Sequence, residues 1–194
     1  LVSPGVTFWV IVSVFFCSYL YYYATREMNI AHVYNFFLFS LLLYLIPGYL
    51  KKPVRLNSFL LGAVLGWIIL IRPTNIIVAL LLPLYDVYTF SALKERIQFL
   101  IQHLRFVLWM IPGAFLFFIP QLLYWKEMTG HWLYYSYTEE GFKYCAEPKI
   151  AAVLFDVQNG LFLYSPLVLL MMAGIVLGLF KKNFQAPVVL LIFS

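Results

Sequence analysis

The sequence predicts an all-α membrane protein, a polytopic helical bundle of about seven spans with one interfacial amphipathic helix. Three observations lead there. Hydrophobic residues make up 64% of the 194 residues and charged residues only 11%, against about 25% charged in a soluble domain. The apolar residues fall into runs of span length, roughly 20 residues each. Basic residues cluster between those runs, as topology signals do.

The elements follow in order. Gly5 to Tyr23 is uncharged and long enough to span. A short polar link, Thr25 to Asn29, leads to a second helix with Ala31 to Ile46 as its core, which Pro47-Gly48 is expected to end. Leu56 to Ile71 and Ile76 to Tyr85 flank Arg72-Pro73-Thr74-Asn75. Read as two short spans, they place Lys51, Lys52 and Arg55 on the same side as Lys94, Arg96 and Arg105. One long kinked span would separate the clusters, so the positive-inside rule selects two, with Arg72 at the outer turn. Phe90 to Phe106 carries Phe90, Leu93, Ile97, Leu100, Ile101 and Leu104 at helical spacing and polar residues opposite, the pattern of an interfacial helix. Phe106 to Trp125 reads as a span kinked at Pro112 and Pro120, and Leu161 to Phe180 as the next. A final run begins near Ala186.

The whole chain, 1–194, thus reads as part of one transmembrane domain. Residues 126–160 form its long outer-face loop, with Ile150 to Val157 as a short interfacial helix. The chain starts at Leu1 in apolar sequence rather than at Met, so a fragment of a longer protein is expected. The net charge of +5 lies in these topology clusters and argues against nucleic acid as a partner. Cys17 sits in an apolar run and Cys145 in a polar loop, settings that do not suit a mutual disulfide or a metal site.

Potential chemistry gathers on the outer face: Arg26, Glu27 and His32 around the first link, Arg72 and Asn75 at the second turn. The long loop adds Lys126, Glu127, His131, Glu139, Glu140, Lys143 and Asp156 among its aromatics. Such a mixture suits an anionic lipid-linked sugar, because arginine's fork matches phosphate and aromatic faces stack on sugar rings. Plainer roles stay open. Arg72 at a span end also fits snorkelling, His32 a structural hydrogen bond, Glu139-Glu140 a solvated pair and the tyrosines an interfacial belt. No P-loop, nucleophile elbow, dinucleotide fingerprint or zinc motif occurs.

Tyr21-Tyr22-Tyr23-Ala24-Thr25 with His32 at the head of the next helix, Arg72-Pro73-Thr74-Asn75 after Gly62 and Gly66, Glu140-Gly141-Phe142, and Gly160-Leu161-Phe162 with Ser165-Pro166 form an ordered set. This set resembles the lipid-dependent glycosyltransferases of the GT-C fold, in particular the bacterial mannosyltransferase-like members of glycosyltransferase family 39. The resemblance implies transfer of a sugar from a polyprenyl-phosphate donor to an acceptor on the outer face of a bacterial inner membrane. It implies that Arg72 holds the donor phosphate, that His32 and Glu27 order the donor head, and that Asn75 and Glu140 contribute to binding. The family's acidic catalytic residue would lie upstream of Leu1. No cofactor is predicted; sugar, acceptor and any divalent metal stay open. The alternative function is a transporter or flippase for a lipid-linked or amphipathic solute, which would show repeats and midplane polar residues.

Overall fold

The computed structural model describes residues 3–27, 31–134, 149–158 and 160–180. Every regular element among these is helical, with no strand. Two helices are long and apolar enough to cross a membrane, His32–Lys51 and Leu104–Thr129; a third is added if a pair bent by 62° counts as one span. The chain divides into two compact units, 1–33 with 135–177, and 34–134 with 178–194.

The first unit opens with that bent pair, α1 (Pro4–Phe16) and α2 (Tyr19–Thr25), where the sequence pattern predicts one unbroken span. Ser18 makes the difference. It adopts an extended backbone and its hydroxyl accepts a hydrogen bond from the Leu20 N–H, at 3.2 Å. A serine in that role starts a new helix. Later come α9 (Ile150–Phe155), inside the helix expected there, then α10 (Leu161–Tyr164) and α11 (Leu167–Phe180). The single span expected over Leu161 to Phe180 is split because Pro166 excludes Ser165 from helical geometry, leaving it at φ −135° and ψ 69°.

The second unit holds the main core. Helix α3 (His32–Lys51) runs through Pro47 instead of ending there. Leu38, Leu42, Ile46 and Tyr49 recur at helical spacing and are all fully buried, so packing holds the last turn despite the lost backbone donor. Helix α4 (Arg55–Ile71) follows after a tight link. Leu42 and Ile46 share their apolar contacts with Leu61 and Leu65, so α3 and α4 form an antiparallel hairpin. Pro73 then ends α4's ladder, and a 3-10 helix (Pro73–Leu80) continues into α5 (Leu81–Leu84). Val78 and Leu82 pack back against α3 and α4. The return segment is about 22 Å long at 3-10 and α rises.

Helix α6 (Phe90–Gln102) is capped by the Thr89 hydroxyl, which accepts the Ala92 N–H at 3.2 Å. Phe99 and Leu100 face the core, while Ile97, Ile101 and Leu104 stay exposed. A break at Trp109 separates α7 (Leu104–Leu108) from α8 (Met110–Thr129). Pro112 explains the break, since it has no N–H for the Leu108 carbonyl. Pro120 lies inside α8 without ending it. Helix α8 also extends past Lys126 and Glu127, which were expected in the loop. It ends at Gly130, whose left-handed φ of 76° lets its N–H reach the Lys126 carbonyl at 3.0 Å.

The closest packing joins α4 and α8. A Cβ added to Gly62 would strike the Met110 backbone, one on Gly66 the Ala114 backbone, and one on Gly113 the Phe59 and Ala63 backbone. Higher up, Trp67 stacks on Phe117 at 4.7 Å, and at the other end Arg55 lies 5.6 Å from the Trp109 ring. The paired positions rise together, so the two helices are parallel. Arg55 and Arg105 therefore belong to one end of this unit, and Arg72 belongs to the other.

Candidate functional site

At the Arg72 end of the second unit, the chain turns between α4 and the 3-10 helix. Arg72 has extended backbone, with φ −151° and ψ 111°, because it precedes proline. Its N–H still bonds the Ile68 carbonyl at 3.2 Å, and its own carbonyl accepts the Asn75 N–H at 2.9 Å. These bonds fix the turn while the Arg72 side chain stays exposed. No hydrogen bond or ion pair engages the guanidinium among the described residues. Asn75 is half-buried, and its Nδ2 is shut away from solvent without an acceptor. One turn thus carries an exposed fork of charged donors at Arg72 and, three residues on, a buried amide donor.

The same end holds the start of α3, because α3 and α4 are antiparallel. There Asn35, which the sequence reading passed over, has its Oδ1 buried without a donor. An asparagine in an apolar span is the signal that could have found it, since a buried amide costs free energy unless paired.

Glu27 and His32 lie in the first unit. Tyr22 donates from its hydroxyl to the Glu27 carboxylate at 2.9 Å. Tyr23 stacks obliquely on the His32 ring at 4.8 Å. Tyr22 and Tyr23 are themselves in edge contact at 5.7 Å, so the acid and the imidazole are tied to adjacent rings. Tyr23 meets Tyr19, and Tyr19 stacks on Tyr164 at 5.7 Å and 23°. The Tyr164 hydroxyl donates to the Val157 carbonyl at 2.7 Å, which ties α10 to the turn after α9. Such rings present broad apolar faces edged by hydroxyl donors, a surface suited to a sugar. Tyr19 and Tyr164 were not distinguishable from a membrane belt by sequence, because their partnership spans most of the chain.

Glu140, with Glu139 and Lys143, lies outside the described residues. Asp156 caps its own turn, accepting the Gln158 N–H at 2.8 Å. Lys126 donates to the Gly130 carbonyl at 2.8 Å and sits 5.7 Å from the Trp132 ring, so its charge is used locally. Among the described residues, no three His, Cys, Asp or Glu side chains converge on a metal position. No family model, no curated protein and no solved structure matches the chain.

Proposed function

We propose that the protein is a membrane glycosyltransferase of the GT-C kind, taking a sugar from a polyprenyl-phosphate donor on the outer face of a bacterial inner membrane. The reading keeps about seven crossings. Six of them are the two full-length helices, the bent pair and the three shorter apolar helices; the further span expected from Ala186 lies outside the described residues. The observation that carries it is the turn at Arg72, where an exposed guanidinium and the buried Asn75 Nδ2 both lack acceptors. A phosphate satisfies the guanidinium, which grips two of its oxygens. In the first unit, Glu27 and His32 are held by Tyr22 and Tyr23, a polar and aromatic surface suited by itself to a sugar.

Arg72→Ala and Arg72→Lys in membranes test this with a radiolabelled polyprenyl-phosphate sugar. A charge-assisted hydrogen bond contributes about 1.5–3 kcal/mol, so alanine raises the donor KM roughly tenfold to a hundredfold. Lysine restores only part, because a point charge lacks the fork. Equal donor kinetics for lysine and arginine would leave Arg72 a snorkelling residue and remove the phosphate site. The flippase alternative draws on the broken helices at Ser18 and Pro73, since transporters build sites from discontinuous helices. It predicts donor movement across vesicles without any sugar transfer.

A further inference from the structure

The opposite end of the second unit holds a cavity of about 630 Å³. Its walls are the last turn of α3, the Tyr85–Val87 turn and the first turns of α6. Charges of both signs line it: Lys51 and Arg96, Asp86 and Glu95, with Leu50 and Phe99 as apolar floor. These charges do not pair with one another, for no ion pair closes among the described residues. Glu95 takes only a long hydrogen bond from the Ser91 hydroxyl, at 3.5 Å. Asp86 takes one from the Tyr88 hydroxyl, which raises the phenol's pKa above its ordinary 10.0. Lys51 and Arg96 have no hydrogen-bond partner among the described residues.

Asp86 has a second peculiarity. Its φ is 56°, and no other non-glycine among the described residues is left-handed. Aspartate tolerates that geometry better than most residues but still at a cost, so the strain is kept where it aims a carboxylate at the cavity rim. Alongside, α6 and the start of α7 leave apolar side chains uncovered: Ile97, Ile101 and Leu104 are 45%, 64% and 51% exposed. A charged cavity of both signs beside a bare apolar edge matches a ligand with a zwitterionic head and hydrocarbon tails.

We propose that this cavity binds the headgroup of a phosphatidylethanolamine-type phospholipid, with phosphate between Lys51 and Arg96 and the ammonium at Asp86 and Glu95. The acyl chains lie along Ile97, Ile101 and Leu104. The volume falls within the range of about 300–1,000 Å³ usual for small-molecule sites. A primary ammonium donates three hydrogen bonds, as a lysine does. A choline group, fully methylated, donates none, so the two carboxylates discriminate by hydrogen bonding rather than charge. The site does not depend on glycosyl transfer, because it lies at the end of the unit away from Arg72.

The test titrates the whole chain, held in a non-phospholipid detergent, with four probes: dihexanoyl phosphatidylethanolamine, phosphatidylcholine, phosphatidylglycerol and inorganic phosphate. Native mass spectrometry and the thermal midpoint read binding. The ethanolamine lipid binds roughly tenfold more tightly than the choline lipid. Arg96→Gln weakens both. Asp86→Asn with Glu95→Gln weakens both lipids and narrows the preference, because the amide oxygens still accept hydrogen bonds but carry no charge; asparagine keeps the left-handed backbone, and far-UV circular dichroism checks the fold. The native chain alone suffices to overturn the proposal. Equal binding of the two zwitterionic lipids, tighter binding of phosphatidylglycerol, or displacement of lipid by inorganic phosphate each does so. So does a preference undiminished in the double variant.

Discussion

The α4–α8 contact makes the sharpest prediction. Consider Gly62→Ala and Gly66→Ala. The new methyl carbon at position 62 would sit 2.6 Å from the Met110 Cα, and that at position 66 would sit 2.5 Å from the Ala114 Cα. Carbon atoms pack at about 3.5–4.0 Å, so the helices must part by about 1 Å or more. The obstacle is backbone, which cannot rotate aside as a side chain does. Overpacking of this kind costs about 1–3 kcal/mol, a large share of a typical stability of about 5–15 kcal/mol. Separation also loosens the Trp67–Phe117 stack, a pair of a type that contributes about 0.5–1.5 kcal/mol beyond its buried area. The two glycines are one turn apart on one interface, so the double variant should cost less than the two singles together. Gly48 and Gly174 are controls, because nothing lies within 4 Å of an added Cβ at either. Alanine there should be neutral or stabilising by up to about 1 kcal/mol through helix propensity. The assay is unfolding of the reconstituted chain by increasing dodecyl sulfate in mixed micelles, followed by circular dichroism and tryptophan emission. If Gly62→Ala and Gly66→Ala unfold with the parent, or Gly174→Ala falls as far as they do, the backbone contact between α4 and α8 is wrong.

Single cysteines at positions 52 and 94 should both resist an impermeant maleimide in intact cells, while one at position 127 reacts. Ready labelling at 94 with protection at 52 would separate ends that the cavity joins. Tyr88, hydrogen-bonded to Asp86, should ionise above the usual tyrosine range in an ultraviolet difference titration, and Asp86→Asn should return it to normal. The sign follows: folding favours the neutral phenol, so its contribution is complete below about pH 10 and fades as pH rises through the raised folded value. Ser18→Ala removes the cap of α2 and should cost about 1 kcal/mol; a loss no larger than that of Ser40→Ala, an exposed mid-helix serine, would deny Ser18 that role.

Several elements were legible because their causes are local. His32 starts α3 as expected, Arg72-Pro73 interrupts the third apolar run as expected, and the apolar spacing of Phe90 to Phe106 marks α6, although the helix breaks at His103 and resumes as α7. Proline geometry, side-chain capping and apolar period act within a turn or two, so they can be read along the chain. Two errors were also local in origin. Ser18 and Pro166 divide spans that hydropathy alone joins, since a window of apolar residues does not register a hydroxyl cap or a missing N–H.

The rest belongs to tertiary structure. Pro47 looks like a helix end, and only the burial of Ile46 and Tyr49 carries α3 on to Lys51. Gly62 and Gly66 were visible as glycines, but nothing along the chain said that α8, approaching in parallel, would fill the space they leave. The pairing of Tyr19 with Tyr164 and the meeting of Lys51 with Arg96 are likewise long-range. Sequence by itself determined the helical, apolar character of this protein and where most helices begin, because backbone hydrogen bonds and solvent preference are decided residue by residue. Which faces touch, and which donors are left without acceptors at Arg72 and Asn75, was decided only when distant segments excluded water together.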